Sequence, residues 1–110
     1  MSYNNRIIGD STQFSLSDEV LAMLYPVAIE TGGNEHAYGV TFPDLPNCFS
    51  AGNTLDEALI NAHEAVKIYL EDLAERQIPP PQASQLEGLK MAPEYHGWSW
   101  AIINVIIEPY

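Results

Sequence analysis

Four carboxylates, Glu30, Asp44, Glu64 and Asp72, are the first residues in this sequence whose type suggests chemistry. Acidic side chains converging from separate elements can hold the two divalent cations, about 4 Å apart, of a metal-dependent nuclease. Glu64 and Asp72 fall on the outer side of a helical pattern, and Asn104 stands where a last strand could have added another charge. Solvated surface charge is therefore the expected role of these groups. His36, His63 and His96 come from three separate segments, without metal-ligand spacing or a neighbouring Cys pair, so no zinc site is expected. Cys48 could be a nucleophile beside His63, but a lone Cys in a short strand is expected to pack as a small hydrophobe. Gly32 and Gly33 lead into a strand and Gly52 into a helix, and neither frame is a phosphate loop. No cofactor and no catalytic group is expected; the chain reads as a binder and not an enzyme.

Charge narrows what is bound. Fifteen Asp and Glu against four Lys and Arg give a net charge of -11 over 110 residues. Recognition of phosphate depends on a clustered basic surface that four cations do not supply, so direct nucleic-acid binding is not expected. A basic partner is the natural complement. The apolar stretches at 20–29 and 100–107 are broken by Pro26 and Asn104 and fall short of the roughly 20 residues of a membrane-spanning helix. With one Cys and no signal-peptide pattern at the start, a cytoplasmic location is expected.

The elements that position these residues follow from periodicity. Residues 1–22 are polar and weakly patterned, an arm outside a core domain expected at 23–110. From Leu24, Tyr25, Val27 and Ile29 alternate with Pro26, Ala28 and Glu30, the period of a strand. Pro26, which has no N–H to donate, suits an edge or a strand beginning. Gly32-Gly33-Asn34 turns the chain into a second alternating run through Tyr38, Val40 and Phe42, making a hairpin. Pro43-Asp44-Leu45-Pro46-Asn47 is a fixed turn, and a short third strand follows at 48–51.

Thr54-Leu55-Asp56-Glu57 is a capping box, with Glu57 placed to reach back to the cap amide. It opens a helix over 55–77 whose buried stripe runs through Leu55, Ala58, Leu59, Ala62, Ala65, Val66, Tyr69, Leu70 and Leu73. Ile78 and three prolines stop it, and the connection at 79–96 has room for a short helical turn at 84–90. The last strand, 98–107, puts Trp98, Trp100, Ile102, Asn104 and Ile106 on one face and Ala101, Ile103, Val105 and Ile107 on the other. Apolar residues on both faces imply an interior strand or one covered by a partner. Asn104 needs hydrogen-bond partners if buried, at a cost of about 1–3 kcal/mol otherwise. The expectation is an amide tying the strand to the helix or a turn, with an interface contact as the alternative. The fold class is α+β: a small, mainly antiparallel β-β-β-α-β sheet with one covering helix. Such a helix covers one face; the other is left for solvent, self-association or a partner, with Trp98 or Tyr25 as residues that would lie there.

Residues 38–58, Tyr-Gly-Val-Thr-Phe-Pro-Asp-Leu-Pro-Asn-Cys-Phe-Ser-Ala-Gly-Asn-Thr-Leu-Asp-Glu-Ala, resemble the HicB antitoxin family closely. Tyr25-Pro26-Val27-Ala28, the helix at 62–73, the Ile78-Pro79 stop with Ser84 and the Trp-containing last strand extend the resemblance over 23–110. Asn47 and Asn53 stand where Gly and Asp are common in the family. The resemblance implies a partial ribonuclease-H-like core without nuclease activity. It also implies a small basic HicA-type toxin as partner, one that cleaves messenger RNA through a histidine. A dimer or tetramer is expected. Family members commonly continue into a DNA-binding segment that recognises their own operator; the chain is expected to lack it, since it stops at Glu108-Pro109-Tyr110. The expected toxin contacts are acidic groups standing in for phosphate, Glu30, Asp44 and Glu57, with Tyr38, Phe42 and Phe49 as aromatic neighbours.

Overall fold

The computed structural model describes residues 21–107. They form β1 (Leu21–Glu30), β2 (Tyr38–Thr41), β3 (Phe49–Gly52), the helix α1 (Leu55–Glu75), a short helix α2 (Leu86–Lys90), a 3₁₀ turn at Pro93–Tyr95 and β4 (Ser99–Ile107). The strands make one sheet in the order β3-β2-β1-β4, and every neighbouring pair is antiparallel. The α+β expectation is met, with the last strand in sequence placed beside the first.

One face of the sheet carries the core. Tyr25, Val27 and Ile29 of β1, Val40 of β2, and Ile103 and Val105 of β4 pack with Phe42, Leu45 and Cys48 against Ala58, Ala62, Val66, Leu70 and Leu73 of α1. The alanines let the first turns of α1 lie close to β3. A methyl group on Gly52 would stand 2.5 Å from the Ala58 nitrogen, so only glycine fits there. The Ser50 hydroxyl donates to the Ala58 carbonyl at 2.9 Å in the same contact.

The helix starts as its sequence dictates. Thr54 Oγ1 accepts from the Glu57 N–H at 3.1 Å, but Glu57 Oε1 accepts from the N–H of Asn53 at 2.6 Å, one residue before the cap amide expected to bond it. At the other end Gln77 takes φ 58, the Ile78 N–H bonds the Leu73 carbonyl at 2.8 Å and the Gln77 N–H bonds Ala74 at 3.0 Å. This is a Schellman ending, with glutamine in the left-handed position that glycine usually fills. In the Pro43–Asn47 turn, Asn47 has φ 67, as its residue type allows.

The structure corrects three expectations and meets one alternative of a fourth. β1 begins at Leu21, before the expected Leu24; the rest of the expected arm, 1–20, lies outside the described residues. Pro26 sits in the middle of β1 and not at its beginning, but on a stretch with a neighbour on one side only among the described residues, which meets the edge alternative. Pairing with β2 starts only at Ala28, so around Pro26 the sole ladder partner is β4 and the missing N–H interrupts nothing on the other side. Tyr25 faces α1 and is fully buried, not set on the open face. Most consequentially, β4 is an edge strand of the described sheet and not an interior one, although apolar residues occupy both its faces.

Candidate partner-binding surfaces

The connection from 78 to 98 is held down at three places. The buried Tyr25 hydroxyl donates to the Pro81 carbonyl at 2.6 Å. Asp44 Oδ2 accepts from the Ser84 N–H at 2.8 Å, and the Ser84 hydroxyl donates to Asp44 Oδ1. Tyr95 makes edge contacts with Trp98 and Trp100, ring centres 5.4 Å apart in each case. Burial, then the Asp44 charge, then Tyr69 push the Tyr25 phenol above its ordinary range; burial, then Glu94, then Asp44 do the same for Tyr95. Both phenols therefore stay neutral donors at physiological pH. Asp44 thus lies at the centre of a latch that fixes the connection over the Pro43–Asn47 turn.

The six residues expected at a partner contact do not form one site. Glu57 is exposed at the start of α1. Glu30 and Phe49 stand on the sheet face opposite α1, where Phe49 is 65% exposed. Tyr38 packs against the core cluster. Asp44 is engaged by Ser84 of its own chain. Phe42 is 1% exposed and a core residue, so its expected place beside a partner is corrected: its alternation put it on the buried face, where a partner cannot touch it. Cys48 is likewise core, and burial pushes its thiol up to about 11, leaving almost no thiolate at neutral pH. Among the described residues no group of three His, Cys, Asp or Glu could hold a metal ion.

Two surfaces remain, and they differ in chemistry. The outer side of α1 carries Glu57, Ile60, Glu64, Ile68, Glu71 and Glu75 at steps of three and four, so they share one stripe. All six are exposed, and Ile60 and Ile68 are each 63% exposed. The sequence reading missed both isoleucines; their place outside the buried stripe is the signal that could have found them.

The sheet face opposite α1 is apolar instead, exposed toward its ends but closed at its centre, where Pro26 and Ala28 are fully buried. Its register lines up Phe49, Thr41, Ala28 and Trp100 in one row across all four strands. Pro26 pairs with Ile102, Leu24 with Asn104 and Ala22 with Ile106 in the rows beyond. Leu24, Ile102 and Ile106 are 55%, 47% and 54% exposed. Asn104 is exposed on this face, not tied to the helix or a turn as expected. Glu30, beside Gly39, is the only charged residue in these rows.

A model of the HicB-like antitoxins of bacterial toxin–antitoxin systems matches residues 25–110. The chain belongs to this family. An uncharacterized 14.9 kDa protein from the rep-hol intergenic region of Haemophilus phage HP1 is 39% identical to this HicB-like chain over 83 residues, 76% of the chain and 61% of the phage protein. The chain therefore spans about three fifths of that relative's length. The crystal structure of the N-terminal domain of the Burkholderia pseudomallei antitoxin HicB superposes with a TM-score of 0.66 at 37% identity, covering 76% of this chain and 98% of that one. A chain in the structure of the HicA3 and HicB3 toxin–antitoxin complex matches with a TM-score of 0.60 at 28% identity, over 79% of this chain and 100% of its own length. No helix among the described residues is long and apolar enough to cross a membrane.

Proposed function

We propose that this HicB-like domain neutralises a small, basic, HicA-type ribonuclease toxin by covering its active site, acting as a binder and not as a catalyst. The observation that carries the reading is the stripe on α1, where carboxylates alternate with two exposed isoleucines in a chain of net charge -11. Carboxylates steer a cationic partner and occupy positions that RNA phosphates would take, while the isoleucines supply apolar burial at the contact. The family and the toxin–antitoxin complex among its structural neighbours support the same partner class. Glu57 belongs to this stripe; Glu30 and Phe49, on the sheet face opposite α1, stand away from it and are not part of the proposed contact, and Asp44 and Tyr38 are proposed as residues that shape the domain behind it.

The test is calorimetric titration of the chain with the product of the short reading frame beside its gene, at low and moderate salt, with RNA cleavage followed in parallel. Tight binding that weakens with salt and suppresses cleavage is expected. Glu64→Lys combined with Glu71→Lys should weaken it by at least about tenfold, since each reversal opposes cation to cation. Affinity and inhibition unchanged in that variant would remove α1 from the interface. Magnesium-dependent RNA cleavage by the chain alone would overturn the binder reading.

A further inference from the structure

We propose that Tyr95, Trp98 and Trp100, with the Glu94 carboxylate beside them, form a cation-binding site that takes the side chain of an arginine presented by a basic polypeptide. Trp100 stands on the sheet face opposite α1, in the row of Ala28, so the site goes beyond the proposed toxin contact on α1 and does not depend on it.

Local backbone chemistry builds the cluster. Pro93 opens the 3₁₀ turn Pro93–Tyr95, and the Trp98 N–H then bonds the Tyr95 carbonyl at 3.0 Å. Gly97, between them, takes φ 84, a conformation that a side chain would strain. The chain thereby folds Trp98 back onto Tyr95, with 5.4 Å between ring centres and 69° between ring planes. Trp100 arrives from the sheet. It is the second residue of β4, paired with Ala28 of β1, and its ring meets Tyr95 at 5.4 Å and 80°. Tyr95 is thus edge-packed against two indoles, a geometry favoured by the ring quadrupoles, and all three residues are partly exposed.

Charge and shape select the ligand. The face of an aromatic ring attracts a cation held within about 6 Å of its centre. Carboxylates strengthen that attraction here: after burial, it is the charges of Glu94 and then Asp44 that push the Tyr95 phenol up, so both act on this cluster. Asp44 is engaged by Ser84 and contributes its field, whereas exposed Glu94 can accept an N–H from a ligand. An anion is repelled, and a neutral apolar group gains nothing from the carboxylates. Among cations, a trimethylammonium needs an open cage between rings, but Tyr95 touches both indoles and leaves no gap between them. A guanidinium is planar and weakly hydrated, so it can stack on one ring face while its edge donates to a carboxylate. The net charge of -11 draws basic polypeptides toward the chain.

Trp98 and Trp100 are the two tryptophans of the whole chain, so tryptophan fluorescence reports this cluster alone. The experiment titrates the full chain, at moderate salt, with a blocked Gly-Arg-Gly peptide, its lysine counterpart and its citrulline counterpart, which has the shape of arginine without the charge. Tryptophan fluorescence and the NMR signals of the indole N–H groups are followed. Saturable binding of the arginine peptide in the millimolar range is expected, with lysine weaker by about threefold or more and citrulline without effect. Glu94→Gln, a change at an exposed position, should keep the melting temperature and weaken the arginine peptide by about threefold. Trp98→Leu should abolish its binding; should that variant unfold by circular dichroism, Glu94→Gln carries the test. No saturable signal from the arginine peptide overturns the proposal. So does citrulline binding as well as arginine, because stacking without charge would then suffice. Lysine equal to arginine, or arginine binding indifferent to Glu94→Gln, overturns it too, because general attraction to an acidic chain would then explain the signal.

Discussion

Asp44 and Ser84, forty positions apart, are joined twice: the carboxylate accepts from the Ser84 backbone N–H at 2.8 Å and from its hydroxyl. The pair fastens the proline-rich connection onto the turn between β2 and β3, beside the buried Tyr25 hydroxyl that holds Pro81. Asp44→Ala should lower stability by about 1–2 kcal/mol, the scale of losing charge-assisted bonds at a partly exposed site. Ser84→Ala should cost less, and almost nothing in the Asp44→Ala background, because the two share one interaction. Urea denaturation of the four proteins measures this; full additivity would mean that the latch does not act as a unit.

Gln77 occupies left-handed backbone at φ 58, where a Cβ is unfavourable. Gln77→Gly should stabilise the chain by about 0.5–1 kcal/mol, the relief of strain exceeding the entropy glycine adds to the unfolded state. A higher urea midpoint with an unchanged slope is the expected reading.

Gly52→Ala should do the opposite. The added methyl would meet the backbone of Ala58 at 2.5 Å and of Glu57 at 2.8 Å, and neither can give way without shifting α1 off β3. A loss of about 2–4 kcal/mol is expected, above the usual cost of overpacking because backbone and not side chain must move. A thermal melt like that of wild type would mean that the helix start is not as closely seated.

Stability should fall at alkaline pH. Burial raises the Cys48 thiol from its ordinary 9.0 to about 11. Above pH 9 the unfolded chain releases this proton while the folded chain keeps it, so stability is full below 9 and declines up to about 11. The loss is about 2–3 kcal/mol. Tyr25, raised mainly by burial, adds in the same direction above its ordinary 10.0. Cys48→Ala should be weaker at neutral pH but decline less between 9 and 10, and the wild-type thiol should react slowly with disulfide reagents until the chain unfolds.

The local elements were legible in the sequence because local chemistry decides them. The capping box at Thr54 and Glu57 starts α1, the prolines after Ile78 exclude further helix, and alternation through Tyr25, Val27 and Ile29 separates a core face from an outer one. The strand faces of β4 were legible for the same reason, as Ile103 and Val105 are buried while Ile102 and Ile106 are exposed. The family resemblance rested on the turn and helix start at 38–58, and both lie within the matched residues. The short 3₁₀ turn at Pro93–Tyr95 gave no such signal, being too brief to have a period.

By itself the sequence determined the fold class, the acidic character and the family, because periodicity, caps and charge are properties of neighbouring residues and of their sum. Only the tertiary structure decided that Asp44 serves Ser84 and that β4 lies at an edge of the described sheet. Each of these depends on which distant segments meet. Strand order is set by long-range pairing that a two-residue period does not encode, so an apolar strand reads the same in sequence whether its second neighbour belongs to its own chain or to another.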